Sequence, residues 1–190
     1  MTTITKPPIL TGWTVDLVQK MPHIEGERYE LIAGELYVTT QPHGRHQATS
    51  DNIAFELGSW SRSTKAGRVL PAPGLIYSIN EAVAPDIVWV SKARLAHILG
   101  PDGKLHDSPE LVIEILSPGK ANEERDKKLE LYSRRGVQEY WIADWRALSV
   151  EIYRYEEGEL RLVQTLHAGD ELTSPLLPGF TCVIDRFFEL

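Results

Sequence analysis

The heptapeptide ELVIEIL at positions 110–116, halted by Ser117-Pro118-Gly119, decides the fold. Side chains alternate across a strand, so Val112, Glu114 and Leu116 share one face while Ile113 and Ile115 share the other. Both faces are apolar, the pattern of a central strand covered on each side. Residues 122–135 then read as a helix ending before Gly136, which suits the position just past a helix end, and 138–143 reads as another strand. A helix between two buried strands predicts a parallel βαβ unit.

Working outward toward the N-terminus, 86–90 (DIVWV) is a strand followed by a short helix capped by Ser91. Residues 68–79 hold strands around Pro71, Pro73 and Gly74. Residues 45–64 form a longer helix with Ile53, Leu57 and Trp60 at helical spacing, stopping near Gly67. RYELI at 28–32 and ELYVTT at 35–40 are strands joined by Ala33-Gly34, and 12–20 is a short helix capped by Thr14. On the C-terminal side, 148–155 and 160–166 form a hairpin around Glu157-Gly158, followed by short strands, turns and a terminal apolar piece at Phe187-Phe188. The fold class is α/β, or α+β, with a mixed central sheet flanked by helices. One domain is expected over 1–190, with a core at about 12–145 and a β-rich tail at about 148–190.

The chain has 190 residues, 42% of them hydrophobic and 25% charged, which excludes a disordered tail or a disulfide mini-protein. A lone cysteine, Cys182, rules out an internal disulfide framework and points to a reducing compartment. No run is long enough to span a membrane and no signal peptide is visible, so the expected location is the cytoplasm. The formal net charge of -7 argues against a high-affinity DNA coat but suits a carboxylate-rich site that needs a cation.

Three residues stand where the pattern does not want them. Glu114 interrupts a run apolar on both sides, at a cost of roughly several kcal/mol unless it is paired or bound to a metal. The bland alternatives are a strand-end Glu or one satisfied by an arginine. Asp86 opens its strand directly after Pro85, which cannot donate a ladder hydrogen bond. A turn Asp is the bland alternative. If Asp86 and Glu114 lie on neighbouring strands they repel unless a cation separates them, and hard oxygen donors select Mg²⁺ or Mn²⁺. Lys128 lies on the following helix near the boundary set by Leu129 and Tyr132. Its plain reading is a surface pair with Glu124, and Lys127 is its competitor for a place at the site.

Pro85-Asp86, a strand, then Glu114-Ile115-Leu116 resembles the PD-(D/E)XK nuclease signature. Together with RYELIAGEL at 28–36, SPELVIEILSP at 108–118 and KKLELYSRRGVQEYWIAD at 127–144, the chain closely resembles the Uma-two family of endonucleases, abundant in cyanobacteria. The resemblance covers roughly 10–185. It implies a restriction endonuclease-like core in which Asp86 and Glu114 hold a divalent metal, with the backbone carbonyl of Ile115 completing the site. It assigns a further acid to Glu30, with Glu35 as runner-up, and a histidine near the site to His46. The signature's lysine falls at Leu116, and the resemblance moves that role to Lys128.

The expected function is therefore Mg²⁺- or Mn²⁺-dependent hydrolysis of phosphodiester bonds in a nucleic acid, DNA before RNA. Asp86, Glu114, Lys128 and Glu30 are the expected catalytic set. Dimers are common among enzymes that cut two strands, so a homodimer is one expected arrangement. The rival reading, favoured by Leu116 and the acidic net charge, is an inactive nuclease-like fold that binds a protein or nucleic acid.

Other features point to bland roles. His43 and His46 have HxxH spacing, but nothing completes a zinc set, and a helix start explains them. Lys120, Arg125, Arg134 and Arg135 alternate with acids on a helix face that reads as solvated. Trp141 and Trp145 read as strand-core residues before they read as a base-stacking pair.

Overall fold

The computed structural model describes residues 12–22, 24, 26–117 and 121–190. The breaker Pro118-Gly119 and Lys120 lie outside what is described, as do the side chains at 121–124, including Glu124, the predicted surface partner of Lys128. A short helix α1 (Val15–Gln19), whose Thr14 cap accepts the Leu17 N–H, leads into the hairpin β1 (Arg28–Ile32) and β2 (Glu35–Thr39). Ala33 and Gly34 both adopt positive φ, 52° and 77°, the geometry of a two-residue hairpin turn. Helix α2 (Gly44–Thr64) follows and ends at Lys65 in the left-handed conformation, two residues before Gly67. Then come β3 (Gly67–Pro71), β4 (Leu75–Ser78), β5 (Glu81–Val83), β6 (Ile87–Ser91), α3 (Lys92–Ile98) and β7 (Leu111–Ile115). Helix α4 (Ala121–Arg134), β8 (Glu139–Asp144), β9 (Ser149–Glu156) and β10 (Glu159–His167) continue the chain. It closes with β11 (Glu171–Thr173), β12 (Thr181–Val183) and α5 (Asp185–Phe188).

A six-stranded sheet in the order β10-β9-β8-β7-β6-β3 forms the centre, and a four-stranded sheet β2-β1-β5-β4 lies beside it. The only parallel pair in the described sheets is β7–β8, joined through α4, so the expected βαβ unit is present. Strand β5 and helix α5 are short elements that the sequence pattern does not reveal; three or four residues carry too little periodicity to register.

Strand alternation sends the central sheet's side chains into two cores. Ile87, Trp89, Leu111, Ile113, Ile115 and Trp141 pack on one face with Ile53 and Leu57 of α2. Val88, Val90, Val112, Tyr140 and Ile142 pack on the other with Leu131 and Tyr132 of α4. Glycine is required at 67, where a Cβ would run into the Val90 carbonyl and the Trp89 ring. The tail is built into this body. Strands β9 and β10 extend the central sheet, and Leu172, Leu177, Phe180, Ile184 and Phe187 complete the α2 side of the core.

The register sets up everything that follows. Strand β6 runs antiparallel to β7 with Ile87 opposite Ile113 and Val88 opposite Val112. One step further brings Asp86, at the start of β6, beside Glu114, near the end of β7.

Because Phe187 is fully buried, Phe187→Ala is expected to cost about 3–5 kcal/mol in urea unfolding. A loss under about 1 kcal/mol would show that the tail does not close the core.

Candidate active site

Asp86, Glu114, Glu30, His46 and Lys128 line one pocket of about 670 Å³, and all five are buried. Each is carried on or beside an element anchored by buried apolar residues. On α4, Lys128 shares its inward stripe with Leu131 and Tyr132, one turn on. It is therefore not at the boundary of the helix face but within the buried stripe. On α2, His46, Thr49, Ile53, Leu57 and Ser61 form a single buried stripe, apolar in its middle and polar at both ends.

The Lys128 ammonium lies 3.0 Å from Glu114 Oε1 and 3.1 Å from Glu30 Oε2. The Tyr132 hydroxyl donates to the same Glu114 Oε1 at 2.8 Å. Glu30 Oε1 accepts the Ala84 N–H at 2.8 Å. Asp86 is the most heavily bonded. Its Oδ2 accepts the Ile115 N–H at 2.9 Å and faces His46 Nε2 at 3.2 Å, and its Oδ1 accepts from Arg28 Nη1 at 3.3 Å.

The charges are uneven. Burial, reinforced by the charges of Asp86 and Glu30, outweighs Lys128 and Tyr132 and pushes the Glu114 carboxyl up to about 8. Burial also works against ionised Asp86, but the hydrogen bond and charge of His46, the Ile115 N–H and Lys128 hold its pKa below the usual value. Burial pulls the His46 pKa down, and Asp86 more than reverses this, leaving it raised. Glu30 and Glu114 thus share the Lys128 ammonium while Asp86 is held by Arg28 and His46, and a divalent cation would favour the ionised form of Glu114.

Among the described residues no group of three or more His, Cys, Asp or Glu side chains is gathered for a metal ion. The donor set that fits is two carboxylates, Asp86 and Glu114, plus main chain near Ile115, which also lines the pocket. Mg²⁺ commonly takes one or two protein carboxylates and fills its remaining positions with water and substrate oxygens, so this set suits it.

The runners-up stand elsewhere. Glu35 and Lys127 pair with each other and with the Tyr37 hydroxyl, and neither lines the pocket. Leu116 packs against the second core and lines the pocket, leaving no ammonium at that position. The arginines on and just past α4 are only partly the solvated face expected: Arg134 is exposed, but Arg125, Arg134 and Arg135 are all paired with acids. Arg134 and Arg135 hold the buried Glu81, and Arg125 lines the pocket while bonded to Glu151 and to Tyr153 at 2.7 Å. His43 caps α2 and stacks on Trp145 with ring centroids 4.9 Å apart, while Trp141 is fully buried and donates to Glu139. Neither tryptophan stands as an open stacking platform.

Arg28 is the site residue that sequence reasoning missed. A signal was present: Arg28 and Glu30 are two apart on one strand, hence on the same face.

A family model described as "Uma2: Putative restriction endonuclease" matches residues 15–185. A crystal structure described as a putative nuclease belonging to DUF820, from Anabaena variabilis, is similar with a TM-score of 0.77 and 21% identity. That likeness covers 93% of this chain and 98% of the other, and it shows a shared fold. No curated protein matches.

Since Glu114 holds its proton in the folded chain to higher pH than in the unfolded one, folding takes up a proton between about 4.5 and 8. Its contribution to stability is present below that window and is lost as pH rises through it. Metal-free Glu114→Gln is therefore expected to be more stable than wild type at pH about 9 and to lose less stability between about 5 and 9, read by urea midpoints. Parallel pH profiles would contradict the placement of Glu114 among unneutralised acids.

Proposed function

The chain belongs to the Uma2 family, and from that premise we propose that it is a metal-dependent nuclease that hydrolyses phosphodiester bonds, with DNA as substrate. One observation carries the reading: buried Asp86 and Glu114 are neighbours at the end of the central sheet, with the Lys128 ammonium 3.0 Å from Glu114, in a pocket open to solvent. The same residues in a purely structural role would be replaceable by apolar ones at lower cost, because buried ions contribute little net stability.

Asp86 and Glu114 would hold Mg²⁺ or Mn²⁺. When bound, the ion supplies an acidified water and stabilises charge on the phosphoryl oxygens. The chain's own groups do the rest. Lys128, held between Glu30 and Glu114, places a positive charge beside the attacked phosphorus and stabilises the charge that develops there. Glu30, anchored by the Ala84 N–H, fixes that ammonium. His46 and the Ile115 N–H orient Asp86, as a second layer of hydrogen bonds orients metal ligands generally. The active unit is the single domain 1–190. Among the described residues no helix is long and apolar enough to cross a membrane. We place the enzyme in the cytoplasm, where its lone buried thiol, Cys182, stays reduced.

Purified wild type is expected to cleave plasmid DNA with Mg²⁺ or Mn²⁺ and not with EDTA. Asp86→Asn, Glu114→Gln and Lys128→Met should each lose at least about a hundredfold in rate, while the surface change Arg161→Ala leaves it unchanged. Equal residual cleavage by all of these proteins would identify a contaminant and remove the assignment.

A further inference from the structure

Asp86 Oδ1 is the carboxylate oxygen of the cluster that carries a guanidinium. Arg28 Nη1 reaches it at 3.3 Å and also donates to the Ala84 carbonyl at 3.0 Å. The contrast with Lys128 is informative. Lys128 is sealed in, with an 8% exposed side chain, and stands between two acids. The Arg28 side chain is 38% exposed and sits on the pocket wall, and among the described residues only its Nη1 is engaged. A long side chain at the solvent edge of a pocket, held through one of its nitrogens, changes partner at small cost.

We propose that Arg28 is a two-position residue. It rests on Asp86 in the metal-free protein, and it swings to a phosphate oxygen of the substrate once a divalent cation binds. This rests on the metal-site reading given above. Arg28 and a cation compete for the same carboxylate, because a guanidinium and a divalent ion cannot both take Oδ1 at close range without repelling each other. Losing Asp86 leaves Arg28 as an unneutralised cation on the wall of the pocket that must receive a polyanion. Its planar fork matches two phosphate oxygens, which a lysine at the same place does not. Arg28 would thereby screen the acidic pocket while no ion is bound and join substrate binding only when the site is loaded.

The test uses the full chain and two readouts that need no turnover. The first is Mn²⁺ binding, followed by the paramagnetic resonance signal of the ion in solution, for wild type, Arg28→Gln, Arg28→Lys and Asp86→Asn. The second is anisotropy of a fluorescein-labelled DNA duplex with and without Ca²⁺. Arg28→Gln is expected to bind Mn²⁺ about three- to tenfold more tightly than wild type. It should also lose about tenfold of the gain in duplex affinity that Ca²⁺ gives the wild type. Unchanged or weaker Mn²⁺ binding by Arg28→Gln overturns the proposal, and so does an unchanged Ca²⁺-dependent gain. Should Arg28→Gln fail to fold by circular dichroism, Arg28→Lys decides. It keeps a charge without the fork, so its Mn²⁺ affinity stays near wild type while its duplex gain falls; an undiminished gain overturns the proposal. Asp86→Asn separates the two levels. If it binds Mn²⁺ as tightly as wild type, the metal-site reading itself fails and takes this inference with it. If Asp86→Asn loses Mn²⁺ and Arg28→Gln is unchanged, only the role of Arg28 falls.

Discussion

Three carboxylates buried at one end of a sheet, with a single shared ammonium among them, form the constraint on which this structure turns. Glu30, Asp86 and Glu114 are each less than a tenth exposed, and Lys128 bridges two of them. Such a cluster is electrostatically poor as a stability device, because desolvating an ion costs several kcal/mol, and burial already holds the Glu114 proton on to about pH 8. The protein tolerates it by supplying partners from every neighbouring element. These are the Ile115 and Ala84 amides, the Tyr132 hydroxyl, His46 from α2 and Arg28 from β1.

The fold makes this convergence possible through register. Antiparallel β6 begins where β7 ends, so a residue at the start of one and a residue near the end of the other fall side by side. The two apolar cores on either side then fix the helices that bring Lys128 and His46. Both sit on buried stripes whose remaining turns are anchored by Leu131, Tyr132, Ile53 and Leu57. Positioning of the polar groups is therefore a by-product of ordinary hydrophobic packing a turn or two away.

Much of this was legible in the chain. Alternation in ELVIEIL gave a doubly covered strand and exposed Glu114 as anomalous, and the helix between two such strands gave the parallel pair. What could not be read were contacts set by tertiary register. The choice of Glu30 over Glu35 depends on which face of β1 and β2 turns to the central sheet, and both residues lie in one hairpin with similar surroundings in sequence. The choice of Lys128 over Lys127 depends on helix rotation by one residue, and the neighbouring Leu129 and Tyr132 left the stripe ambiguous until Leu131 proved to be its centre. Arg28 drew no reading of its own, and Arg125, Arg134 and Arg135 read as a solvated face, because their acidic partners lie 26 to 58 residues away.

The central claim is that Asp86 and Glu114 are there to share a cation. Crystals of the protein equilibrated with millimolar Mn²⁺, with anomalous data collected near the manganese edge, test it without reference to any substrate. The account predicts an anomalous peak between the two carboxylates at roughly 2.0–2.3 Å from an oxygen of each, with Arg28 withdrawn from Asp86. A map without density there, in which Arg28 stays on Asp86 and Lys128 on Glu30 and Glu114, would contradict it.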